Sequence, residues 1–284
     1  MSVLARKIAA APEKPERPPM SPFAFASLRR GARTWAIGAV HGGAAHLIAL
    51  HAAIRPKLEP EDRLVYLGNL MGYGPEVAAT IDEALRFRRE FLARPFAFPH
   101  DFMFLRGGQE EIWQKLFELQ FSVNPAEILQ WMVDHGVAAT IEAYGGKPQA
   151  AFSAARQGPV ALSRWTQEIR SAQRKHAGHQ EYLSALRRCA RTHDGAILFV
   201  SAGVDPNVPL NAQDDALWWN TQGFDRMVAP FGGFRRIVRG LDPGRRGIIE
   251  RDFAISVDAG TGFGEGVAAV CLAAHGEVVD RIVA

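Results

Sequence analysis

Only two of the 284 residues are cysteine, Cys189 and Cys271, so no disulfide framework can hold the chain together and a reducing compartment is expected. Long hydrophobic runs are missing too: Arg, Asp or Glu interrupts every apolar stretch well before the roughly 18 residues that a membrane helix needs. The N-terminus has no continuous apolar core of the secretory kind. These absences predict a soluble, cytoplasmic protein without a membrane partner. Charge of one sign is also scarce. Lys and Arg number 33 against 30 Asp and Glu, and residues 1–34 alone hold seven basic and two acidic side chains. The +3 excess therefore belongs to the N-terminal stretch, and the remainder is net −2. A nucleic-acid binder carries its basic residues on the folded body, so no nucleic-acid partner is expected.

What is present is 48% hydrophobic residues, ample for a buried core. The segment from Ala11 to Pro22 is rich in proline and charge, with too little apolar surface to offset ordering. Residues 1–33 are expected to form a flexible basic arm, and residues 34–284 a single domain. Apolar runs at Thr34–Gly38, Arg63–Leu67 and Phe102–Leu105 alternate with helical patterns from Gly43 to Ile54 and from Pro75 to Glu90. Strand, helix, strand, helix, strand predicts an α/β protein with a parallel sheet. Residues 109–192 are expected to be a helical cap. Beyond it, runs at Ala196–Val200, Arg235–Arg239, Phe253–Val257, Val267–Leu272 and Glu277–Val279 read as strands, the last two joined in a hairpin around His275. The first three runs each end in a glycine-rich turn, and in open α/β sheets such strand ends converge on one crevice.

The turns read Gly38-Ala39-Val40-His41-Gly42, Gly68-Asn69-Leu70-Met71-Gly72-Tyr73-Gly74, Gly107-Gly108-Gln109-Glu110, Ser201-Ala202-Gly203 and Gly240-Leu241-Asp242-Pro243. In order and spacing this series resembles the metallophosphatase (calcineurin-like phosphoesterase) family, in its bacterial serine/threonine-phosphatase and diadenosine-tetraphosphatase-like branch. That family carries G-D-x-H-G, G-D-x-x-D-R-G, G-N-H-E, H-A-G and G-H-T-P at successive strand ends. The resemblance implies a layered β-sandwich flanked by helices, with a helical cap insertion.

For chemistry the resemblance implies loss. Active members hold two divalent ions whose bridging hydroxide attacks phosphorus. In this sequence the first Asp ligand corresponds to Ala39, the bridging Asp to Asn69 and the Asn ligand to Gly108. The two later His ligands correspond to Ser201 and Arg239, and the last His to Leu241. The Asp and Arg of D-R-G become Gly72 and Tyr73, and the His of G-N-H-E becomes Gln109. Of the ligand types, His41 remains. Without carboxylates nothing offsets the repulsion between two divalent ions or their lost hydration, and the Arg239 guanidinium would repel an arriving cation.

The expectation is thus a catalytically inactive metallophosphatase-fold protein acting as a binding or regulatory module. Its partner would be a protein or a phosphorylated ligand, met by His41, Asn69 and Arg239, with no cofactor. The enzymatic alternative is a metal-dependent phosphoesterase with a relocated or mononuclear site at His41, Asn69 and Asp242, holding manganese or another divalent ion weakly. Arg239 has its own alternative, a local pair with Asp242. His176 and His179, three apart among Arg170, Arg174 and Lys175, read as a solvated helix face. His193-Asp194 reads as a turn, and Gly260-Thr-Gly-Phe-Gly264 as a loop.

Overall fold

The computed structural model describes residues 25–284. The Pro-rich segment assigned to the arm lies outside the described residues. Eleven strands are described: β1 Phe25–Ser27, β2 Arg33–Ile37, β3 Arg63–Tyr66, β4 Phe102–Phe104, β5 Cys189–Arg191, β6 Ile197–Val200, β7 Arg236–Arg239, β8 Gly247–Arg251, β9 Ala254–Asp258, β10 Ala268–Ala273 and β11 Val278–Val283. They form two sheets, in the orders β11-β10-β2-β3-β4 and β1-β5-β6-β7-β9-β8. The first contains the parallel trio β2-β3-β4 expected from the alternating pattern, and β10–β11 is the expected antiparallel hairpin.

Period-2 alternation sorts side chains between layers. Ala36, Val65 and Met103 meet Ile197, Phe199, Val238 and Ile255 in the core between the sheets. Their neighbours Trp35, Ile37, Leu64, Tyr66, Phe102 and Phe104 face the other way, into a helical layer. That layer begins with α1, Ala44–Ile54, and α2, Val77–Leu92. In α1 the residues Leu47, Leu50, His51 and Ile54 are buried, the spacing of one helical face. On the far side of the second sheet, Leu198, Val200 and Ile237 pack on Trp218, Phe224 and Phe234. The architecture is a β-sandwich between helical layers.

The cap comprises α3 Gly108–Leu116, α4 Pro125–Asp134, α5 Val137–Ala143, α6 Pro148–Gln157, α7 Pro159–Gln173 and α8 His179–Ala185. It ends earlier than residue 192, because Cys189–Arg191 pairs with both β1 and β6 inside a sheet. Two short helices, α9 Ala216–Trp219 and α10 Thr221–Asp225, follow β6.

The boundary of the arm at residue 33 also needs correction. Phe25–Ser27 is a sheet strand, and Ala26 and Leu28 are buried in the sandwich core. Arg29 forms a two-pronged pair with Asp101, at 3.0 and 3.1 Å, and stacks over Phe98. Three residues make too short a strand for periodicity to reveal, and the pairing partner lies more than 160 positions away in sequence. The strand at Gly247–Arg251 was likewise unmarked by apolar content, since it is an edge strand paired on β9 alone.

Candidate functional site

The five turns do converge. The backbone N–H of Ala39 donates to Gly240 O at 2.9 Å, those of Val40 and His41 donate to Asn69 O, and those of Gly240 and Leu241 donate to Ser201 O. His41, Asn69 and Tyr73 all have positive φ, at 46°, 57° and 52°. The left-handed backbone is uncommon for such residues and clusters where a fold holds its functional loops in place. Glu110, at the start of α3, organises these loops. Its carboxylate accepts N–H bonds from Asn69, Leu70, Met71 and Gly107 at 2.8–3.2 Å and the Tyr182 hydroxyl at 3.1 Å.

The crevice between the turns is filled. Asn69 donates from Nδ2 to Ser201 Oγ at 3.2 Å and accepts the Gln109 N–H at 3.0 Å. A Cβ built at Gly72 would collide with Gln109 Oε1, so the Gln109 side chain lies across the glycine that stands where the resemblance calls for an Asp. At Gly108 the missing side chain is replaced by the Trp219 indole, 2.6 Å from a built Cβ. His41 is 3% exposed, with Nδ1 3.3 Å from Met71 O and the Tyr73 and Phe263 rings against its edge. Arg245 in turn lies over Phe263, 3.3 Å from the ring centre. Burial pushes the His41 imidazole down to about 4, and Arg245 adds to the effect against the Met71 hydrogen bond.

Arg239 takes the local pairing and presents no free guanidinium. The side chain is 1% exposed. It donates to Ser256 Oγ at 3.0 Å, Thr221 O at 3.3 Å, Asp225 at 2.9 Å and Asp242 at 3.0 Å, and it stacks on Phe224. Asp242 also accepts from Arg246 and from the Gly244 N–H. Burial alone would raise the Asp242 carboxyl, yet Arg246, Gly244 and Arg239 together hold it below the ordinary range. Beside it, Asp258 accepts the N–H of Asp242 and of Gly260, and burial nonetheless lifts it to about 6, helped by the Asp242 charge.

These residues do not fit a pair of divalent ions. His41 has no carboxylate partner, and Asp242 is committed to two arginines. Among the described residues, the group of three His, Cys, Asp or Glu side chains with ligand atoms within 4.8 Å of one another lies elsewhere, at Asp82, His176 and His179. This overturns the solvated-face reading of the histidine pair. His179 is fully buried, its ring between Tyr144 Oη at 2.8 Å and Asp82 at 3.0 Å, because the α7–α8 turn folds back onto α2. Thr192-His193-Asp194 is a turn, with Asp194 accepting from Thr192 and the Ala196 N–H. The loop at Gly260–Gly264 is a turn as expected, but its Phe263 closes the crevice over His41. Sequence reasoning assigned no role to Glu110, Asp225, Asp258 and Trp219; Glu110 had a signal as the final residue of the third turn motif, and Asp258 as part of the stretch Ile255–Gly260, which also resembles the family.

No protein-family model matches the sequence, and no curated protein matches it. Among solved structures, the chain is similar to a protein described as a candidate diadenosine tetraphosphatase, at 18% identity over 91% of this chain and 97% of that one, with a TM-score of 0.52. It is also similar to a protein serine/threonine phosphatase from Saccharomyces cerevisiae, at 15% identity over 92% and 82%, TM-score 0.49. A metallophosphoesterase from Sphaerobacter thermophilus follows at 13% identity over 90% and 88%, TM-score 0.43. The first of these, with the two layered sheets and the convergent turns, establishes that this chain has the metallophosphatase fold.

Proposed function

We propose that this metallophosphatase-fold protein does not hydrolyse phosphate esters and acts by binding another protein. The observation that supports this reading is the filled crevice: Ala39, Asn69, Ser201, Arg239 and Asp242 are each no more than 1% exposed and satisfy one another or nearby backbone groups. A substrate phosphoryl group needs open space and unspent positive charge, and Arg239 offers neither. Two carboxylates facing that guanidinium also weigh against the phosphorylated-ligand version, since an arriving phosphate would compete with Asp225 and Asp242. On the cap side, Phe121, Ile128, Trp131 and Trp219 stand partly or largely exposed around a groove of about 650 Å³. Exposed apolar surface of that kind favours a protein segment with apolar side chains over a small charged ligand. No helix among the described residues is long and apolar enough to cross a membrane, and both cysteines are free and buried; a cytoplasmic setting remains part of the proposal.

The test is hydrolysis of an aryl phosphate and of a dinucleoside tetraphosphate by the purified full chain with added manganese. No turnover above a chelator-treated control is expected. Turnover that chelator abolishes and that His41→Ala removes would replace this reading with the mononuclear phosphoesterase.

A further inference from the structure

We infer that the cap carries a divalent-cation site of zinc type, formed by Asp82, His176 and His179, which pins the turn between α7 and α8 to α2. The turn is tightly wound. Lys175, His176 and His179 N–H groups donate to Ala172 O, Gln173 O and His176 O at 3.0–3.3 Å. Gly178 takes φ 83°, and a Cβ there would meet Leu85 Cδ1 of α2 at 2.9 Å, so the turn lies directly on α2. This contact carries both histidines to Asp82. The ring centres of His176 and His179 are 4.9 Å apart with planes 32° from parallel, and the ligand atoms of all three side chains lie within 4.8 Å of one another.

The supporting residue has the arrangement expected around a bound cation. His179 is fully buried, with Nδ1 2.8 Å from Tyr144 Oη and Nε2 3.0 Å from Asp82 Oδ1. A ligating imidazole is characteristically fixed by a hydrogen bond at its other nitrogen. When Nε2 binds the ion, the neutral ring takes its other tautomer: the single ring proton moves from Nε2 to Nδ1, where it donates to Tyr144 Oη, and Asp82 exchanges its hydrogen bond for a coordinate bond. The inner ligand is therefore set by packing. The outer two, half-buried His176 and exposed Asp82, are free to close the distance, since tetrahedral bonds of about 2.0–2.1 Å place ligand atoms about 3.3 Å apart. Two imidazoles and one carboxylate, with water as the fourth ligand, suit zinc and neighbouring transition metals; calcium and magnesium prefer oxygen ligands throughout. A simple His–Asp pair accounts for His179 alone; His176, whose ring also meets Tyr144 edge-on at 5.3 Å, brings a second imidazole to the same point. Arg174 and Lys175 are exposed, so their charges are screened from the site. None of the crevice residues takes part.

The test uses the full chain stripped with chelator and titrated with zinc chloride in a calorimeter, with cobalt(II) as a spectroscopic stand-in. The expected result is one zinc per chain, intense visible bands of tetrahedral cobalt, and a zinc-dependent rise in melting temperature. Asp82→Asn and His176→Ala, both at solvent-reached positions, should each weaken zinc at least about tenfold and remove the thermal shift; His41→Gln should bind zinc as the native chain does. No zinc binding below about millimolar, or equal affinity in both cap variants, would overturn the inference. Zinc binding lost in His41→Gln and kept in the cap variants would place the ion in the crevice, overturning this inference and calling for the phosphatase assay to be repeated with zinc.

Discussion

Replacing Arg239 by methionine should cost about 3 kcal/mol of stability, and the figure follows from what the guanidinium leaves behind. Removing one partner of a buried pair costs about 3–5 kcal/mol, mostly because the other charge stays desolvated and unpaired. Here Asp242 is that charge, at 1% exposure. Three features place the loss at the lower end. Arg246 still reaches Asp242 Oδ2 at 2.8 Å, the Gly244 N–H still donates to it, and Asp225, with its side chain 46% exposed, regains water. Methionine keeps an apolar stem against Phe224 but loses the cation–π contact at 4.2 Å and the bond to Ser256. For a chain of this length the melting temperature should fall by roughly 6–9 °C, at about 2–3 °C per kcal/mol. Adding Asp242→Asn to the Arg239→Met background should recover part of the loss, since the stranded charge disappears. Urea denaturation monitored by tryptophan fluorescence measures both variants. If Arg239→Met lies within about 1 kcal/mol of native while native protein alone binds inorganic phosphate, the guanidinium is an open anion site, and the account of a filled crevice fails.

Truncation offers a second test: a chain starting at Phe25 should melt as the full chain does. One starting at Gly31 should lose several degrees, because it removes β1, buried Leu28 and the Arg29–Asp101 pair, together with the Arg29 and Arg30 carbonyls that accept from Arg63; equal melting temperatures would refute the strand. Glu110→Gln should destabilise by about 3–5 kcal/mol, since an amide NH₂ would face backbone N–H donors where a carboxylate oxygen now accepts them, and a shift in urea midpoint corresponding to less than about 1 kcal/mol would remove Glu110 from its organising role. His41 and Asp258 should pull pH dependence in opposite directions. His41, held down at about 4, contributes stability above pH 6.5 that is lost as pH falls through 4; Asp258, raised to about 6, contributes stability below pH 3.8 that is lost as pH rises through 6. His41→Gln should therefore lose less stability between pH 6.5 and 4 than native protein, by up to about 3 kcal/mol, and identical slopes would mean that His41 is not buried neutral.

Residue order alone determined the layered α/β plan and the convergence of the turns, because both depend on local signals. Short apolar runs such as Arg63–Tyr66 and Ile197–Val200, buried along their whole length, mark strands covered on both faces, and glycines at strand ends mark where the chain must turn. The replacement of ligand types was equally legible, as Ala39, Asn69, Gly108 and Ser201 lack the two carboxylates, the amide and the imidazole that the resemblance calls for. Tertiary structure decided what occupies the emptied positions. Trp219 beside Gly108 and Asp225 on Arg239 come from short helices at least 14 residues from their contacts, and no spacing rule connects them. Periodicity also misjudged His179: basic neighbours suggest a wet face, but the turn at Gly178 rotates that imidazole beneath Tyr144 and onto Asp82, 97 positions earlier. Burial is a property of what packs on a residue, and only the fold brings those partners together.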